Sequence, residues 1–303
     1  MKLTGVFAPI TTPFDERGDV DAAAAAANVR ALIDAGVRGI VVTGSTGEAP
    51  LVDDTERATL LAAVRRAAPD STVLMGIGAE STRRTVTRAR AAGDAGADAV
   101  LCVAPHYFGA GAMTDAALRA HYHAVADASP VPVMLYTIPK YMHFALSAAL
   151  VAELASHRNI VGIKDSSGDL AILGGYLTSQ SAAFTVFTGN GVQFLNGLRA
   201  GARGGILAVA DFAPALSCEV FDAFTAGDDA VASAAQERLA PLASEIVGKM
   251  GIGAIKAAMD AIGFVGGRVR APLVDLDDGG RERVTALLAQ ARVGTLAAHS
   301  ASR

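Results

Sequence analysis

Short apolar runs alternate with longer, alanine-rich segments along most of the chain. The runs predict eight strands at residues 5–9, 39–43, 73–77, 99–103, 132–136, 160–164, 185–188 and 205–209. The longer segments predict helices, which include residues 21–35, 53–67, 82–93, 115–126 and 147–156. Several of these segments open with Asp, Ser or Thr, whose side-chain oxygens accept hydrogen bonds from the free amides of a first helical turn.

Repeated strand–helix units build either a doubly wound sheet or a closed barrel of eight parallel strands. Eight units within about 225 residues favour the barrel, whose usual size is about 250 residues. No GxGxxG segment follows the first strand, which disfavours a dinucleotide-binding sheet. We therefore predict an α/β fold: a (β/α)8 TIM barrel over residues 1–225 that carries the active site. The strand pattern then stops, and residues 226–303 are predicted to form a C-terminal helical extension.

The composition is that of an enzyme-sized globular chain, with 303 residues of which 51% are hydrophobic and 18% charged. A net charge of -4, 5% aromatic residues and no Trp argue against nucleic acid as a partner. The longest uncharged stretch, 170–198, contains Gly, Asn and Gln and predicts helix, loop and strand, not a membrane span. The opening residues predict no signal peptide. Because Cys102 and Cys218 form no disulfide framework, we expect a cytoplasmic protein with no membrane partner.

The six histidines are scattered, and no metal site is predicted from them. His121 and His123 are two residues apart on a predicted helix, where their side chains diverge.

Lys164 is the strongest single candidate for catalysis, because active sites of such barrels form at the carboxyl ends of the strands. It ends an apolar strand, and it is one of five lysines in a chain with 21 arginines. Strand alternation puts Ile160, Gly162 and Lys164 on one face. If that face lines the barrel, partial desolvation favours the neutral amine that attacks a carbonyl carbon. The alternative is an ammonium that reaches solvent or pairs with Asp165.

The segment Gly44-Ser45-Thr46-Gly47-Glu48 follows the second predicted strand and is suited to bind an anion. Its glycines permit a tight backbone, so that N–H groups and the hydroxyls of Ser45 and Thr46 converge. An ordinary turn with Ser and Thr as helix caps is the alternative. The GK[ST] ending of a nucleotide-binding loop is missing.

Tyrosines end or follow two further strands. Tyr136 ends the fifth predicted strand, where a phenol can move protons if it is hydrogen-bonded to a second hydroxyl. A side chain that merely fills the barrel mouth is the alternative, and Tyr107 is equally ambiguous. Lys256 lies on a predicted helix and is expected to be structural.

Six short segments, in this order, are carried by the predicted strand ends and loops: Ala8-Pro9-Ile10-Thr11-Thr12-Pro13-Phe14, the GSTGE of 44–48, Tyr136-Thr137-Ile138-Pro139, Gly162-Ile163-Lys164-Asp165, Gly204-Gly205-Ile206 and Arg268-Val269-Arg270-Ala271-Pro272-Leu273. Together they resemble the pyruvate-dependent class I aldolases, a superfamily that includes dihydrodipicolinate synthase and N-acetylneuraminate lyase. The resemblance covers nearly the whole chain.

The resemblance implies a lyase that works through a Schiff base. Lys164 would attack the ketone of pyruvate or another 2-oxo acid, and the resulting imine would act as an electron sink. Tyr136 would move protons and Ser45 would relay them. Tyr107, which in the family comes from the neighbouring subunit, would complete this relay.

The same resemblance implies the binding residues and partners. Thr46 and nearby amides would hold the substrate carboxylate, while Gly189 and Ile206 would line the pyruvate pocket mainly through backbone atoms. No metal or organic cofactor is implied. The partners would be a small 2-oxo acid and an aldehyde, and the assembly a homotetramer built from tight dimers.

Two departures from the family pattern concern the second substrate. Dihydrodipicolinate synthases have an arginine two residues beyond the proline of the Tyr136 segment, where it binds the carboxylate of the aldehyde. Tyr141 occupies that place, and it cannot form the planar double hydrogen bond of an arginine. Lys140 offers only a point charge. The family's Pro-Tyr-Tyr-Asn is replaced by Pro105-His106-Tyr107-Phe108.

The leading hypothesis is therefore a lyase that reversibly joins pyruvate to an aldehyde whose distal part meets Tyr141, Met142, His143 or Phe144. A dehydratase of a 2-keto-3-deoxy sugar acid and a true 4-hydroxy-tetrahydrodipicolinate synthase of lysine biosynthesis are alternatives on the same imine. A metal-dependent aldolase is a further alternative, and a non-catalytic 2-oxo-acid binding protein is the hypothesis from a different class.

Overall fold

A computed structural model describes residues 3–295 of the chain. Its strands are β1 (Gly5–Pro9), β2 (Gly39–Val42), β3 (Thr72–Gly76), β4 (Ala99–Val103), β5 (Val133–Thr137), β6 (Ile160–Asp165), β7 (Thr185–Thr188) and β8 (Gly204–Ile206). Each strand pairs in parallel with the next, and β8 pairs with β1, so that the sheet closes into a barrel. The predicted (β/α)8 barrel is confirmed.

The α-helices of the described residues follow the strands in the order expected. They are α1 (Ala22–Asp34), α2 (Asp54–Ala67), α3 (Thr82–Asp94), α4 (Gly109–Ala112), α5 (Asp115–Ala128), α6 (Pro139–Met142), α7 (Ala148–Leu154), α8 (Leu170–Leu177), α9 (Phe194–Ala200), α10 (Pro214–Thr225), α11 (Asp229–Leu242), α12 (Ile252–Ala261) and α13 (Asp278–Gln290). Short 3-10 helices lie at Ala49–Leu51 and Ala208–Asp211, and a π-helix at Ala243–Met250 continues α11.

Helix starts follow the capping residues that the sequence offers. Asp21 accepts a hydrogen bond from the amide of Ala24, and Thr114 accepts one from Ala117. Asp53 and Glu56 form a complete capping box at the start of α2. These caps satisfy amides that have no partner inside the helix, so the predicted helix starts are confirmed to within a residue.

The eighth strand is shorter than the prediction of residues 205–209. It ends at Ile206, and the chain then turns into the 3-10 helix Ala208–Asp211. Val209 is fully buried in that helix, so its apolar character reflects burial and not strand geometry. The other strands lie within one residue of their predicted positions.

Beyond Thr225 the described residues contain helices and a single bridge from Arg268 to Phe14, in agreement with the predicted helical extension. Lys140 Nζ, after β5, donates to the carbonyl of Gly248 in the π-helix at 3.0 Å, so this extension contacts the mouth of the barrel. The division into units at 225/226 stays a prediction. No helix within residues 3–295 is long and apolar enough to span a membrane.

Candidate active site

Lys164 lies at the carboxyl end of β6, inside the barrel mouth. Its side chain is buried, and its Nζ is 4.4 Å from the centre of the Tyr136 ring. The two residues are direct partners in the pairing of β5 with β6. Because residues paired across neighbouring strands project to the same side, the strand register itself brings ammonium and phenol together.

The alternative roles considered for Lys164 are not realised. Its burial keeps the ammonium out of bulk solvent. Asp165, on the opposite face of β6, accepts hydrogen bonds at 2.9 Å from the amide and the hydroxyl of Ser167. Burial raises the pKa of Asp165, against the lowering effect of these hydrogen bonds. Asp165 therefore serves the turn after β6.

Gly189 provides the space that the lysine side chain occupies. A Cβ atom at this position would lie 2.9 Å from Lys164 Cε and 2.0 Å from Ser166 Oγ. Both distances are too short for any side chain to be added without moving its neighbours. A side chain at 189 would therefore have to displace Lys164 or Ser166, which shows that the Gly189 backbone lies directly against the lysine side chain.

A cleft of about 370 Å³ opens above Lys164. It is lined by Lys164 and by five more of the site residues predicted from the sequence: Tyr136, Ser45, Thr46, Gly189 and Ile206. Tyr107 is the predicted site residue that does not line it. Its size falls in the range of small-molecule sites. A second cleft of about 1120 Å³ adjoins it and shares Ser45 and Tyr136.

Tyr107 is the predicted site residue that the single chain does not bring to the cleft. Its side chain is 80% exposed and meets the ring of Phe108, itself 70% exposed, edge to face at 5.3 Å. The amides of His106 and Tyr107 both donate to Glu80 Oε2 at 2.9 Å, which holds this loop in place. The loop therefore presents two large aromatic rings to the outside of the chain.

Tyr141, at the position of the family's arginine, lines both clefts and is 43% exposed. Burial raises the pKa of its phenol, so the group stays protonated and able to donate. Met142, in contrast, is fully buried under Ile138, whose amide donates to its sulfur. Of the four residues expected to meet the second substrate, Tyr141 alone lines either cleft within the described chain.

The ion pair that fixes the 44–48 loop was not predicted from the sequence. Glu48 is buried with its Oε1 2.6 Å from Lys256 Nζ, and its Oε2 accepts from the amide of Arg270 at 2.8 Å. Lys256 also donates to the carbonyls of Thr12 and Arg268. The scarcity of lysine was the available signal, and the structural role expected of Lys256 agrees with these contacts.

Asp211 was missed as well. It ends the 3-10 helix after β8, and it is fully buried with no hydrogen-bond partner for either carboxyl oxygen among the described residues. Burial raises its pKa well above the ordinary value, while the positive charge of Lys164 acts in the opposite direction. No local sequence pattern predicts that the Asp211 carboxyl group is buried without a partner, because Asp211 is a single acidic residue in an apolar run.

The family is decided by a comparison with known sequences. The sequence model of the dihydrodipicolinate synthetase family matches residues 2–291 of the chain. The chain belongs to this family. Because its members are carbon–carbon lyases of the class I aldolase type, the chain is a lyase of that family, with small-molecule substrates.

Individual relatives agree with this assignment. A 4-hydroxy-tetrahydrodipicolinate synthase of Streptomyces coelicolor is 39% identical over 283 residues, which cover 92% of this chain and 90% of the relative. The YagE protein of E. coli K12, solved in complex with pyruvate, superposes with a TM-score of 0.90 at 30% identity, over 97% of this chain and 100% of that one. A monomeric dihydrodipicolinate synthase variant also superposes with a TM-score of 0.90, at 27% identity, over 96% of this chain and 97% of that one.

Within residues 3–295, no group of three or more His, Cys, Asp or Glu side chains is arranged to hold a metal ion.

Proposed function

We propose that this lyase reversibly joins pyruvate, or another 2-oxo acid, to an aldehyde through a Schiff base on Lys164. The observation that carries the proposal is the buried Lys164 ammonium, which faces the Tyr136 ring and opens into the cleft above it. A lysine kept from water at the closed end of a cleft is placed to act as a nucleophile towards a ketone.

In the proposed reaction, the neutral amine of Lys164 attacks C2 of pyruvate. The ketone oxygen leaves as water after it has received protons, and a protonated imine remains. Loss of a proton from C3 moves its electron pair towards the imine nitrogen and gives an enamine. The enamine carbon then bonds to the aldehyde carbon, whose oxygen takes up a proton. Hydrolysis of the new imine releases the product and restores Lys164.

Tyr136 is proposed to carry the protons of these steps, with Ser45 as the relay to its phenol. Both side chains line the cleft above Lys164. Thr46 and the amides of its loop are proposed to hold the pyruvate carboxylate, since a tight glycine-bounded turn directs N–H groups towards an anion. Gly189 and Ile206 are proposed to bound the pocket through their backbone atoms.

Tyr107 is proposed to enter the active site of a neighbouring copy. Its ring and that of Phe108 are exposed together, and exposed aromatic pairs are favoured at contacts between subunits. A homotetramer of two tight dimers is the assembly proposed. Sedimentation velocity should give a tetramer, and Tyr107→Ala with Phe108→Ala should shift it towards monomer with a loss of activity.

The second substrate separates the proposed aldolase from its alternatives. Tyr141 lacks the double donor of an arginine, so we propose an aldehyde other than aspartate semialdehyde. The synthase reaction in the name of the Streptomyces coelicolor relative, and dehydration of a 2-keto-3-deoxy sugar acid, remain the second candidates. Steady-state rates with pyruvate and a panel of aldehydes, and with the sugar acid alone, distinguish these reactions. A preference for aspartate semialdehyde by several orders of magnitude would contradict the interpretation of Tyr141.

Tyr136→Phe provides the test of the proton-carrying group. We expect kcat to fall about 100-fold or more, as is typical for the loss of a general acid–base group. Tyr176→Phe is the matched control, because its phenol donates to the carbonyl of Leu146 and does not line the cleft.

A cytoplasmic location is also proposed, since Cys102 and Cys218 are both buried free thiols. Cell fractionation tests it.

A further inference from the structure

Three of the five lysines of the chain line the cleft above the active site. They are Lys140, Lys164 and Lys249. Lys256 does not line the cleft and is buried in its ion pair with Glu48, and Lys2 is outside the described residues. In the described part of the chain, no Asp or Glu lines this cleft. The cleft therefore carries a concentrated positive charge in a protein whose net charge is -4.

Lys140 and Lys249 come from different parts of the fold, and Lys140 contacts the residue that precedes Lys249. Lys140 is on α6, after β5, and its Nζ donates to the carbonyl of Gly248 at 3.0 Å. Lys249 is the next residue along the π-helix. Lys140 uses one of its three N–H donors in this contact, so two remain for a ligand.

The charge around Lys249 remains positive after its ion pairs are counted. Glu245 contacts Lys249 Nζ at 2.5 Å through one oxygen and Arg283 at 2.6 Å through the other. One carboxylate is thus shared between two cations, and the Lys140 ammonium contacts the residue before Lys249. Both lysine side chains are exposed, which leaves their ammonium groups open to a ligand.

Neutral polar groups line the same cleft as the three lysines. The hydroxyls of Ser166 and Ser244 and the amide of Asn190 line the same cleft. Hydroxyl and amide side chains donate to and accept from sugar-like hydroxyl groups. The cleft thus has the Lys164 amine at its buried end, hydrogen-bonding groups along its wall and two solvent-exposed ammonium groups, of which that of Lys249 is paired with Glu245.

We propose that Lys140 and Lys249 bind an anionic group at the far end of the second substrate, which is a hydroxylated aldehyde ending in a carboxylate or a phosphate. The inference rests on the proposed aldolase reaction and names its acceptor class. Lys140 and Lys249 are specificity-determining residues in this account, since they contact the part of the aldehyde that does not react. They supply point charges where an arginine in place of Tyr141 would supply a double hydrogen bond.

The test compares three aldehydes at saturating pyruvate: glyceraldehyde, glyceraldehyde 3-phosphate and succinic semialdehyde. We expect kcat/KM for at least one of the two anionic aldehydes to exceed that for glyceraldehyde about tenfold or more, because both lysines attract the anionic end. The phosphate and carboxylate arms show which anion is preferred. Added salt should raise KM for the anionic aldehyde and leave KM for glyceraldehyde unchanged.

Lys140→Gln and Lys249→Gln should each lower kcat/KM for the preferred anionic aldehyde about tenfold, mainly because KM rises. The rates of both variants with glyceraldehyde should stay within about twofold of the wild-type rate. Glu245→Gln leaves both ammonium groups in place and should not reduce the anionic rate. Arg158→Gln is the matched control, because it removes one exposed positive charge just before β6, at the opposite end of that strand. It should change neither rate.

Trapping of the pyruvate imine with borohydride accompanies each variant. If wild-type protein forms the adduct and prefers glyceraldehyde, or if the lysine variants reduce all three rates equally, the anion site is wrong and the Schiff-base reaction stands. If wild-type protein forms no adduct with pyruvate or with longer 2-oxo acids, the proposed reaction is wrong, and the acceptor site is overturned with it.

Discussion

Lys256 holds Glu48 in a buried ion pair, with 2.6 Å between Nζ and Oε1. Glu48 ends the loop that carries Ser45 and Thr46, and Lys256 lies in the middle of α12. The pair thus fixes a loop of the active site to the C-terminal helices. Burial lowers the pKa of Lys256, and the charge of Glu48 opposes this effect.

Replacing one partner of this pair should destabilise the fold strongly. Lys256→Met leaves the Glu48 carboxylate buried and without its cation, which should lower the free energy of unfolding by about 3–5 kcal/mol. The double variant Glu48→Gln with Lys256→Met should recover part of this loss, because no charge is then buried alone. Urea unfolding of both variants measures the difference. A single variant as stable as the wild-type protein would contradict the importance of the pair.

Asp211 should make stability fall as the pH rises. Its pKa is raised in the folded protein by burial, so above the ordinary value of about 3.9 the folded state holds a proton that the unfolded state has lost. Stability therefore decreases with increasing pH until the folded pKa is reached. Asp211→Asn removes this pH dependence. The melting temperature of the variant minus that of the wild-type protein should therefore increase from pH 5 to pH 9. A difference in melting temperature that is the same at every pH would show that burial does not keep the Asp211 carboxyl group protonated.

Gly189→Ala should impair the reaction much more than the fold. The added methyl group would meet Lys164 Cε and Ser166 Oγ, both of which belong to side chains that can shift. Displacing the reacting amine by about 1 Å is enough for a roughly 100-fold loss of kcat. Gly174→Ala, in α8, is the matched control because a Cβ there has no neighbour within 4 Å. Equal activity of the two variants would contradict the placement of Gly189 against the lysine.

The barrel was predictable from the sequence because each of its units is marked locally. Apolar runs specified the strands, and residues such as Asp53 and Thr114 marked the helix starts. Lys164 and Tyr136 were predicted to lie together because both end predicted strands, and the parallel order of the strands brings such ends to one rim. The eighth strand was predicted too long since Val209 is apolar through burial in a 3-10 helix.

The contacts that could not be predicted from the sequence join residues that are far apart along the chain. Glu48 was visible within its loop, but its partner Lys256 lies on a distant helix, and the choice among distant cations is a property of the folded chain. The same holds for Lys140, whose contact with Gly248, the residue before Lys249, joins two distant parts of the chain. Asp211 gave no signal because its isolation is created by the surrounding packing.

The central claim is that Lys164 forms the imine, and reductive trapping tests it most directly. The protein is incubated with pyruvate and sodium borohydride, and intact mass spectrometry is followed by peptide mapping. We predict one reduced three-carbon adduct per chain, on Lys164, which is lost in Lys164→Arg and kept in Lys140→Gln. A folded wild-type protein that acquires no adduct with pyruvate or with longer 2-oxo acids, or one whose adduct persists in Lys164→Arg, would contradict the account.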